Sequence, residues 1–262
     1  MGGCAVSMFY KTEKFLNVAR RSLDFQNLNY PPWRLPKRLQ RLIKLVKTHT
    51  VQDILRLSML YGLAFESKQI DGDIVECGVF RGGSAAVLAA ATKDLNVRKI
   101  WLYDVFEGMP SPNNKDGEFA KAWEGELISS VVEVKEVFEK VKIDWNNVII
   151  RKGLFKDTFK EQLPAKVALL HIDADWYESV LLALRAFYPL LVEGGIVVLD
   201  DFGHWEGTRE AFYDFCMEEK IKPLIERVGY TQAFWRKGQE STRDKYDNYW
   251  QGVYSPELKG ER

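Results

Sequence analysis

From Gly72 onwards, short apolar runs alternate with helix-compatible stretches, and this alternation constrains the fold more than any other feature. Each run is too short for a helix and is rich in Val, Leu and Ile, as strands buried on both faces of a parallel sheet are. The runs are Ile74–Cys77, Ile100–Tyr103, Val148–Ile150, Val167–Ile172 and Ile196–Leu199. The alternation predicts an α/β fold with a doubly wound, mostly parallel sheet.

The two ends of the chain depart from this pattern. Near the C-terminal end, Lys222–Arg227 and Thr231–Arg236 are joined through Gly229, which predicts an antiparallel hairpin at the end of the sheet. Before Gly72, apolar residues recur at helical spacing in Lys37–Lys47 and again from Val51 to Ser67. We therefore predict three parts: a helical cap or oligomerisation segment (1–70), a main domain (71–238) and a tail (239–262).

Composition narrows the classes of protein. Lys+Arg and Asp+Glu number 37 each, so no overall positive field attracts nucleic acid. Three separate cysteines (Cys4, Cys77 and Cys216) indicate a reducing compartment rather than a disulfide framework. No apolar stretch reaches the length of a membrane span, and Ser7 lies one position too late for a myristoylation motif. We interpret the protein as soluble and cytoplasmic, with no nucleic-acid partner.

Three aspartates follow two of the predicted strands. Asp173 ends one apolar run, Asp200 and Asp201 end the next, and the helical stretch from Tyr177 to Leu191 separates the runs. A right-handed crossover places such strands side by side, so their carboxyl ends meet at one edge of the sheet. Converging carboxylates repel one another unless a cation lies between them, and oxygen ligands suit Mg²⁺. Helix capping is the alternative, and it explains one aspartate better than three.

A glycine-rich turn follows the first predicted strand, in the segment GDIVECGVFRGGS. Glycines let a ligand approach the backbone, and helix N-terminal amides favour an anion. The spacing differs from the G-x-G-x-x-G of dinucleotide folds, and Glu76 within the turn suits an ammonium or sulfonium group better than a pyrophosphate. Asp104, at the end of the second strand, is placed to accept ribose hydroxyls, although a capping role stays open. Phe106–Pro110 follows at the edge where ligands bind, and Gly153 would let a flat ring approach the backbone.

Taken together, ECGVFRGGS, LYDVFEGMP, KGLFKDTF, HIDADWYES and YPLLVEGGIVVLDDFGHWEGTREA resemble the macrocin O-methyltransferase family. That family uses S-adenosylmethionine and Mg²⁺ to methylate sugar hydroxyls of antibiotics. The resemblance covers Gly72 to Arg236. It implies the class I methyltransferase fold, a Rossmann-like sheet of seven strands with the last one antiparallel, and a small-molecule hydroxyl acceptor as the partner.

The resemblance also implies roles for individual residues. Asp173, Asp200 and Asp201 would bind the metal, and Asp175 would act as the general base. Asp104 would hold the ribose, and the Lys152-Gly153 stretch the adenine. The cofactor-binding set implied is Glu76, Gly78, Arg81, Gly82, Ser84, Asp104, Phe106, Lys152, Gly153 and Asp173.

Some alternatives stay open. His204, just past the paired aspartates, is a rival base because its ordinary pKa is near neutral. His171 and Ala174 depart from the family pattern, in which arginine usually stands at the first of these positions. A nicotinamide dehydrogenase would use a similar sheet, and a degenerate binding module could use basic residues of the N-terminal segment to contact a membrane surface or RNA. These basic residues are Arg34, Lys37, Arg38, Arg41, Lys44 and Lys47.

Overall fold

The computed structural model describes residues 35–95 and 98–239. They form one seven-stranded sheet with the strand order β3-β2-β1-β4-β5-β7-β6. All neighbouring strands are parallel except for β7, which is antiparallel to both β5 and β6. The strands are β1 (Asp73–Cys77), β2 (Ile100–Asp104), β3 (Val148–Lys152), β4 (Val167–Ile172), β5 (Leu191–Leu199), β6 (Glu226–Val228) and β7 (Gln232–Arg236).

The predicted α/β class, the strands and the closing hairpin are confirmed. The first strand of the hairpin is shorter than expected, because residues 221–225 have no regular structure. Pro223 lies in that segment and has no amide hydrogen to donate to a neighbouring strand. The N-terminal features at Cys4, Ser7 and Arg34, and the tail from residue 240, lie outside the described residues.

Helices cover both faces of the sheet. The helices are α1 (Lys37–Val46), α2 (Ile54–Glu66), α3 (Gly83–Thr92), α4 (Val131–Val141), α5 (Phe155–Thr158), α6 (Tyr177–Phe187) and α7 (Glu206–Glu219). Helices α1 to α4 pack on one face and share a core with Ile74, Leu102 and Leu169. Helices α6 and α7 pack on the other face, against Val75 and Leu170. Successive strand residues therefore enter different cores, as the two-residue period of a strand requires.

Helix α1 buries an apolar stripe within this domain. Leu39, Leu42, Ile43 and Val46 are buried, and the Lys and Arg side chains between them point outwards. Helix α2 follows with Asp53 as its N-cap, since the Asp53 carboxylate accepts hydrogen bonds from the amides of Leu55 and Arg56. Helices α1 and α2, the described part of the segment predicted as a cap, thus form part of a helical layer on the sheet. Among the described residues, no helix is both long enough and apolar enough to cross a bilayer.

The strand order fixes where a ligand can bind. The chain first builds β1, β2 and β3 in one direction and then returns to place β4 on the other side of β1. In doubly wound sheets, ligands bind outside the carboxyl ends of the strands at this switch point. The residues that follow β1, β4 and β5 face that crevice.

Candidate active site

A cleft opens at the switch point, and the predicted carboxylates line it. Asp173, Asp200 and Asp201 each present an oxygen, and these atoms lie within 4.8 Å of one another. Asp175 lines the same cleft. The parallel neighbours β4 and β5 bring these side chains together, as the crossover argument predicted. The capping alternative does not account for the cluster, because the N-caps of α6 and α7 are Trp176 and Trp205.

Burial and mutual repulsion dominate the electrostatics of this cluster. Burial, together with the charges of the neighbouring aspartates, raises the pKa of Asp173 and of Asp201 well above the usual range. Burial and the Asp173 carboxylate raise the pKa of Asp175 to about 7. Asp201 is 8% exposed, and its Oδ2 atom has no hydrogen-bond partner. The site therefore has an excess of buried negative charge and a buried oxygen without a hydrogen-bond partner, and such a donor set fits a hard divalent cation.

Three side chains that the sequence analysis missed hold these carboxylates. Arg56 Nη1 donates to Asp200 Oδ2, and Gln232 Nε2 donates to Asp200 Oδ1 at 2.9 Å. Gln52 Nε2 donates to Asp173 Oδ2 at 2.9 Å. One signal was readable for Arg56, because it stands in the largely apolar helix segment ILRLSML, where a buried charge needs a partner. The sequence offered no comparable signal for the two glutamines.

Asp175 is held in a strained and well-defined position. Its φ of 58° lies in the left-handed region, which costs free energy for a residue with a side chain. Trp205 Nε1 donates to Asp175 Oδ1 at 2.7 Å, and Thr208 Oγ1 donates to the Asp175 carbonyl at 2.8 Å. The rival base His204 is outside the cleft lining. Its ring contacts Trp205 and Tyr230.

The glycine turn and the acid of β2 form the other side of the cleft. Gly78 has a φ of 87°, and a Cβ atom there would lie 1.9 Å from the carbonyl oxygen of Asp173. Asp104 accepts hydrogen bonds from the amides of Val79, Phe80 and Phe106 at 2.6 to 2.8 Å. A carboxylate has about four acceptor positions, so roughly one remains for a ligand hydroxyl. Asp104 therefore shapes the turn and also lines the cleft, and its role toward a ribose stays a prediction.

Loop residues complete the cleft. Gly108, Met109 and Pro110 line it, as expected for the segment that follows β2. Gly153, with a φ of 145°, lines it together with Leu154 and Phe155. A flat ring could lie against this stretch, since glycine leaves the backbone accessible.

Other residues of the predicted cofactor set lie outside the cleft lining. Glu76 is fully buried and pairs with His171, its neighbour in the β1–β4 register, at 2.8 Å. Arg81 pairs with Glu133 at 2.9 Å, and Lys152 pairs with Glu107 at 3.3 Å. The remaining members are Gly82, which caps α3, Ser84, which is buried in α3, and Phe106, which is buried in the core. The family resemblance implied these residues as cofactor contacts, and for them that role stays a prediction.

This arrangement is that of a class I methyltransferase fold, and comparison with known proteins identifies the family. The sequence model of the Macrocin-O-methyltransferase (TylF) family matches residues 49–237. The chain therefore belongs to this family of O-methyltransferases, which confirms the resemblance inferred from the sequence. The match begins before Gly72 and includes the segment that carries Gln52 and Arg56.

Curated relatives agree with this identification. The chain is 31% identical over 181 residues to an 8-demethyl-8-(2,3-dimethoxy-alpha-L-rhamnosyl)-tetracenomycin-C 4'-O-methyltransferase of Streptomyces olivaceus, which covers 66% of this chain and 69% of that enzyme. It is 27% identical over 179 residues to the Mycinamicin III 3''-O-methyltransferase of Micromonospora griseorubida, covering 64% and 69%. The chain is accordingly an enzyme of the O-methyltransferase class, and the dehydrogenase and non-enzymatic alternatives are not supported.

Solved structures confirm the fold. The O-methyltransferase NovP superimposes with a TM-score of 0.70 at 24% identity, covering 76% of this chain and 98% of NovP. The Podospora anserina methyltransferase PaMTH1, solved with bound SAH, superimposes with a TM-score of 0.55 at 17% identity, covering 85% and 96%. At these identities the likeness establishes the class I architecture.

Proposed function

We propose that this enzyme transfers a methyl group from S-adenosylmethionine to a hydroxyl of a small molecule, with a divalent cation such as Mg²⁺ at the site. The observation that carries this proposal is the buried carboxylate cluster beside the glycine turn. Asp173, Asp200 and Asp201 would hold the cation, and Gly78 and Asp104 would face the cofactor. A nucleoside-containing methyl donor fits the side of the cleft that Asp104 lines. A hard cation fits the clustered carboxylate oxygens, whose negative charge exceeds the positive charge near them.

The cofactor, the cation and the side chains of the site then have separate roles in the reaction. S-adenosylmethionine, when bound, supplies the methyl group on a sulfonium that is already activated for displacement. A divalent cation, when bound, supplies Lewis acidity that lowers the pKa of a nearby hydroxyl. Asp175 would take the proton of the acceptor hydroxyl on its carboxylate, which would leave the oxygen as the nucleophile for the methyl group. Burial and the Asp173 carboxylate raise the pKa of Asp175 to about 7 in the metal-free cluster, which makes this carboxylate a stronger base than an ordinary Asp.

The scaffold positions the reacting groups. Trp205 and Thr208 hold Asp175 from the α7 side, and Arg56 and Gln232 fix Asp200. Holding the reactants in register is the main contribution that an enzyme can make to a displacement on an activated carbon. The acceptor proposed is a sugar hydroxyl of a natural product, because the tetracenomycin relative is named for a rhamnosyl-bearing acceptor.

Calorimetry tests the cofactor. We expect S-adenosylhomocysteine to bind and NAD not to bind. Asp104→Ala should weaken S-adenosylhomocysteine binding by about 2 kcal/mol or more, since it removes a hydroxyl acceptor and loosens the turn. Asp71→Ala, at an exposed acid that pairs with Lys166, is the matched control. Binding of NAD without S-adenosylhomocysteine would exclude the proposal.

A second experiment tests the cation and the acceptor together. Methyl transfer from S-adenosylmethionine to a rhamnosylated polyketide should fall on addition of EDTA and recover with excess Mg²⁺. The same polyketide without its sugar should not react. A rate that EDTA leaves unchanged would show that the aspartates act without a metal, and transfer to the sugar-free polyketide would assign the acceptor elsewhere.

A further inference from the structure

Arg56 is buried among the carboxylates of the site although it comes from helix α2. It is 9% exposed, and all three of its guanidinium nitrogens are engaged. Nη1 donates to Asp200 Oδ2, Nε donates to Asp53 Oδ2 at 3.2 Å, and Nη2 donates to the Val51 carbonyl at 3.2 Å. Asp53 and Val51 thus hold Nε and Nη2 in place, and Nη1 contacts the carboxylate cluster through Asp200.

Arg56 supplies positive charge to a cleft whose other charged lining residues are all aspartates. Five aspartates line the cleft, and among the lining residues that the structure describes, Arg56 is the one Lys or Arg. Arginine keeps its proton in proteins, and here the guanidinium pairs directly with Asp200 and Asp53. The guanidinium is therefore a permanent positive charge in the cluster.

We propose that Arg56 is a built-in counter-cation that competes with the divalent cation for Asp200 and so weakens metal binding. The proposal rests on the metal site proposed above. Arg56 acts through Asp200, and we class it as a positioning residue rather than a catalytic one. In this arrangement the metal-free protein keeps its carboxylates together, and the metal binds reversibly.

The contacts of Asp200 explain the competition. Its Oδ2 accepts from Arg56 and its Oδ1 accepts from Gln232, so a cation must share an oxygen that is already in use. A divalent cation at the cluster would also lie close to a fixed positive charge in a partly desolvated site, where charges interact more strongly than in water. Removing Arg56 would relieve that repulsion but would also release Asp200 from its fixed position.

Relief of repulsion and loss of the fixed position of Asp200 change metal affinity in opposite directions, so the proposal is testable. Loss of orientation alone would weaken metal binding, as most structural damage does. Loss of a competing charge would strengthen it. Coulomb repulsion between a divalent and a monovalent cation exceeds the value of one orienting hydrogen bond, so we expect the second effect to dominate.

Titration calorimetry with Mn²⁺ on the full chain measures whether metal affinity rises or falls when Arg56 is replaced. Arg56→Met should bind Mn²⁺ about tenfold more tightly than the wild type or better. Arg56→Lys keeps the charge and should stay within about threefold of the wild type. Arg98→Met is the matched control, because Arg98 is equally buried but donates to Ser67 and to the Ile70 carbonyl, away from the cluster. If Arg56→Met does not fold, Arg56→Gln gives the same comparison with an uncharged amide.

The outcomes separate the two proposals. Tighter binding in the uncharged variants, with no change in Arg98→Met, supports the counter-cation. Equal or weaker binding in those variants overturns it and leaves the metal site intact. A wild-type chain that does not bind Mn²⁺ at all overturns the metal site itself, and the counter-cation with it.

Discussion

The indole N–H of Trp205 donates a 2.7 Å hydrogen bond to Oδ1 of Asp175. The donor lies at the N-cap of α7 and the acceptor lies beyond β4, so this bond ties the helical layer to the sheet edge at the proposed base. A hydrogen bond to a carboxylate favours its ionised form, and here it opposes the effects of burial and of Asp173 that raise the pKa. The indole therefore keeps Asp175 in the range where it can accept a proton near neutral pH.

Removing this donor should change the pH dependence of turnover. Trp205→Phe keeps an aromatic ring against Trp176 and Trp123 but loses the N–H. The pKa of Asp175 should rise, so the acid limb of the pH–rate profile should move to higher pH. The profile of kcat measures this, and Trp176→Phe, which loses a donor to the Pro110 carbonyl, is the control. An equal loss of kcat at every pH would mean that Trp205 contributes packing only.

Asp175→Asn should lower kcat by about 10²–10⁴-fold, since it removes the proposed base while keeping the size of the side chain. Asp175 must be ionised to accept a proton, so wild-type turnover should rise with pH through the pKa of Asp175 in the metal-bound enzyme, and the residual activity of the variant should not. The affinity for S-adenosylhomocysteine should change little. The comparison variant is His204→Ala, and a collapse of turnover there, with Asp175→Asn active, would make the histidine the base.

The metal-free protein should lose stability as the pH rises. Asp173 and Asp201 have folded-state pKa values raised above the ordinary Asp value of about 4. Groups of this kind contribute stability that is fully present below the unfolded-state pKa and is lost as the pH rises through the folded-state pKa. The melting temperature in EDTA should therefore fall as the pH rises above about 4.

Asp201→Asn should flatten that fall, because it removes one of the repelling carboxylates. Asp71→Asn should not flatten it, since the pKa of the exposed Asp71 is lowered by its hydrogen bond to Lys166. Excess Mn²⁺ should restore stability most at the higher pH, where the carboxylates are ionised. A melting temperature in EDTA that is independent of pH would contradict the electrostatic description of the site.

Gly78→Ala should disrupt the site and destabilise the fold by more than about 2 kcal/mol. Its Cβ would collide with the Asp173 carbonyl, and its φ is positive. Gly62 is the matched control: it lies within α2 with nothing within 4 Å of an added Cβ, so Gly62→Ala should stabilise the protein by about 0.5–1 kcal/mol. Chemical denaturation of both variants measures the difference, and a neutral Gly78→Ala would mean that the turn can relax.

The sequence predicted which residues meet at the carboxyl edge of the sheet better than it predicted the contacts around them. The meeting of Asp173 with Asp200 and Asp201 follows from strand length and crossover handedness, which leave little freedom. Glu76 was assigned to the cofactor from its place in the turn and from the family resemblance, which stays a prediction, and its contact with His171 was not foreseen because it depends on the register of β1 against β4. Hydrophobic periodicity locates strands and does not specify which residues of two strands lie opposite each other.

The helical contributions were harder to foresee. Arg56 lies 144 residues before Asp200, and no rule of sheet topology places a residue of α2 over the edge of β5. The amphipathic pattern predicted the helix, and the segment before the sheet was interpreted as a separate part. The position of α2 is set by packing against α3, which becomes apparent only in three dimensions.

The placement of β7 has a consequence for how the protein is made. This strand is inserted between β5 and β6, and its first residue, Gln232, donates to Asp200. A nascent chain that has emerged only as far as α7 already carries the five aspartates that line the cleft but lacks this donor and the β7 neighbour of β5. Because synthesis proceeds from the N-terminus, the acidic pocket can reach its final form only late, near the end of translation of the domain.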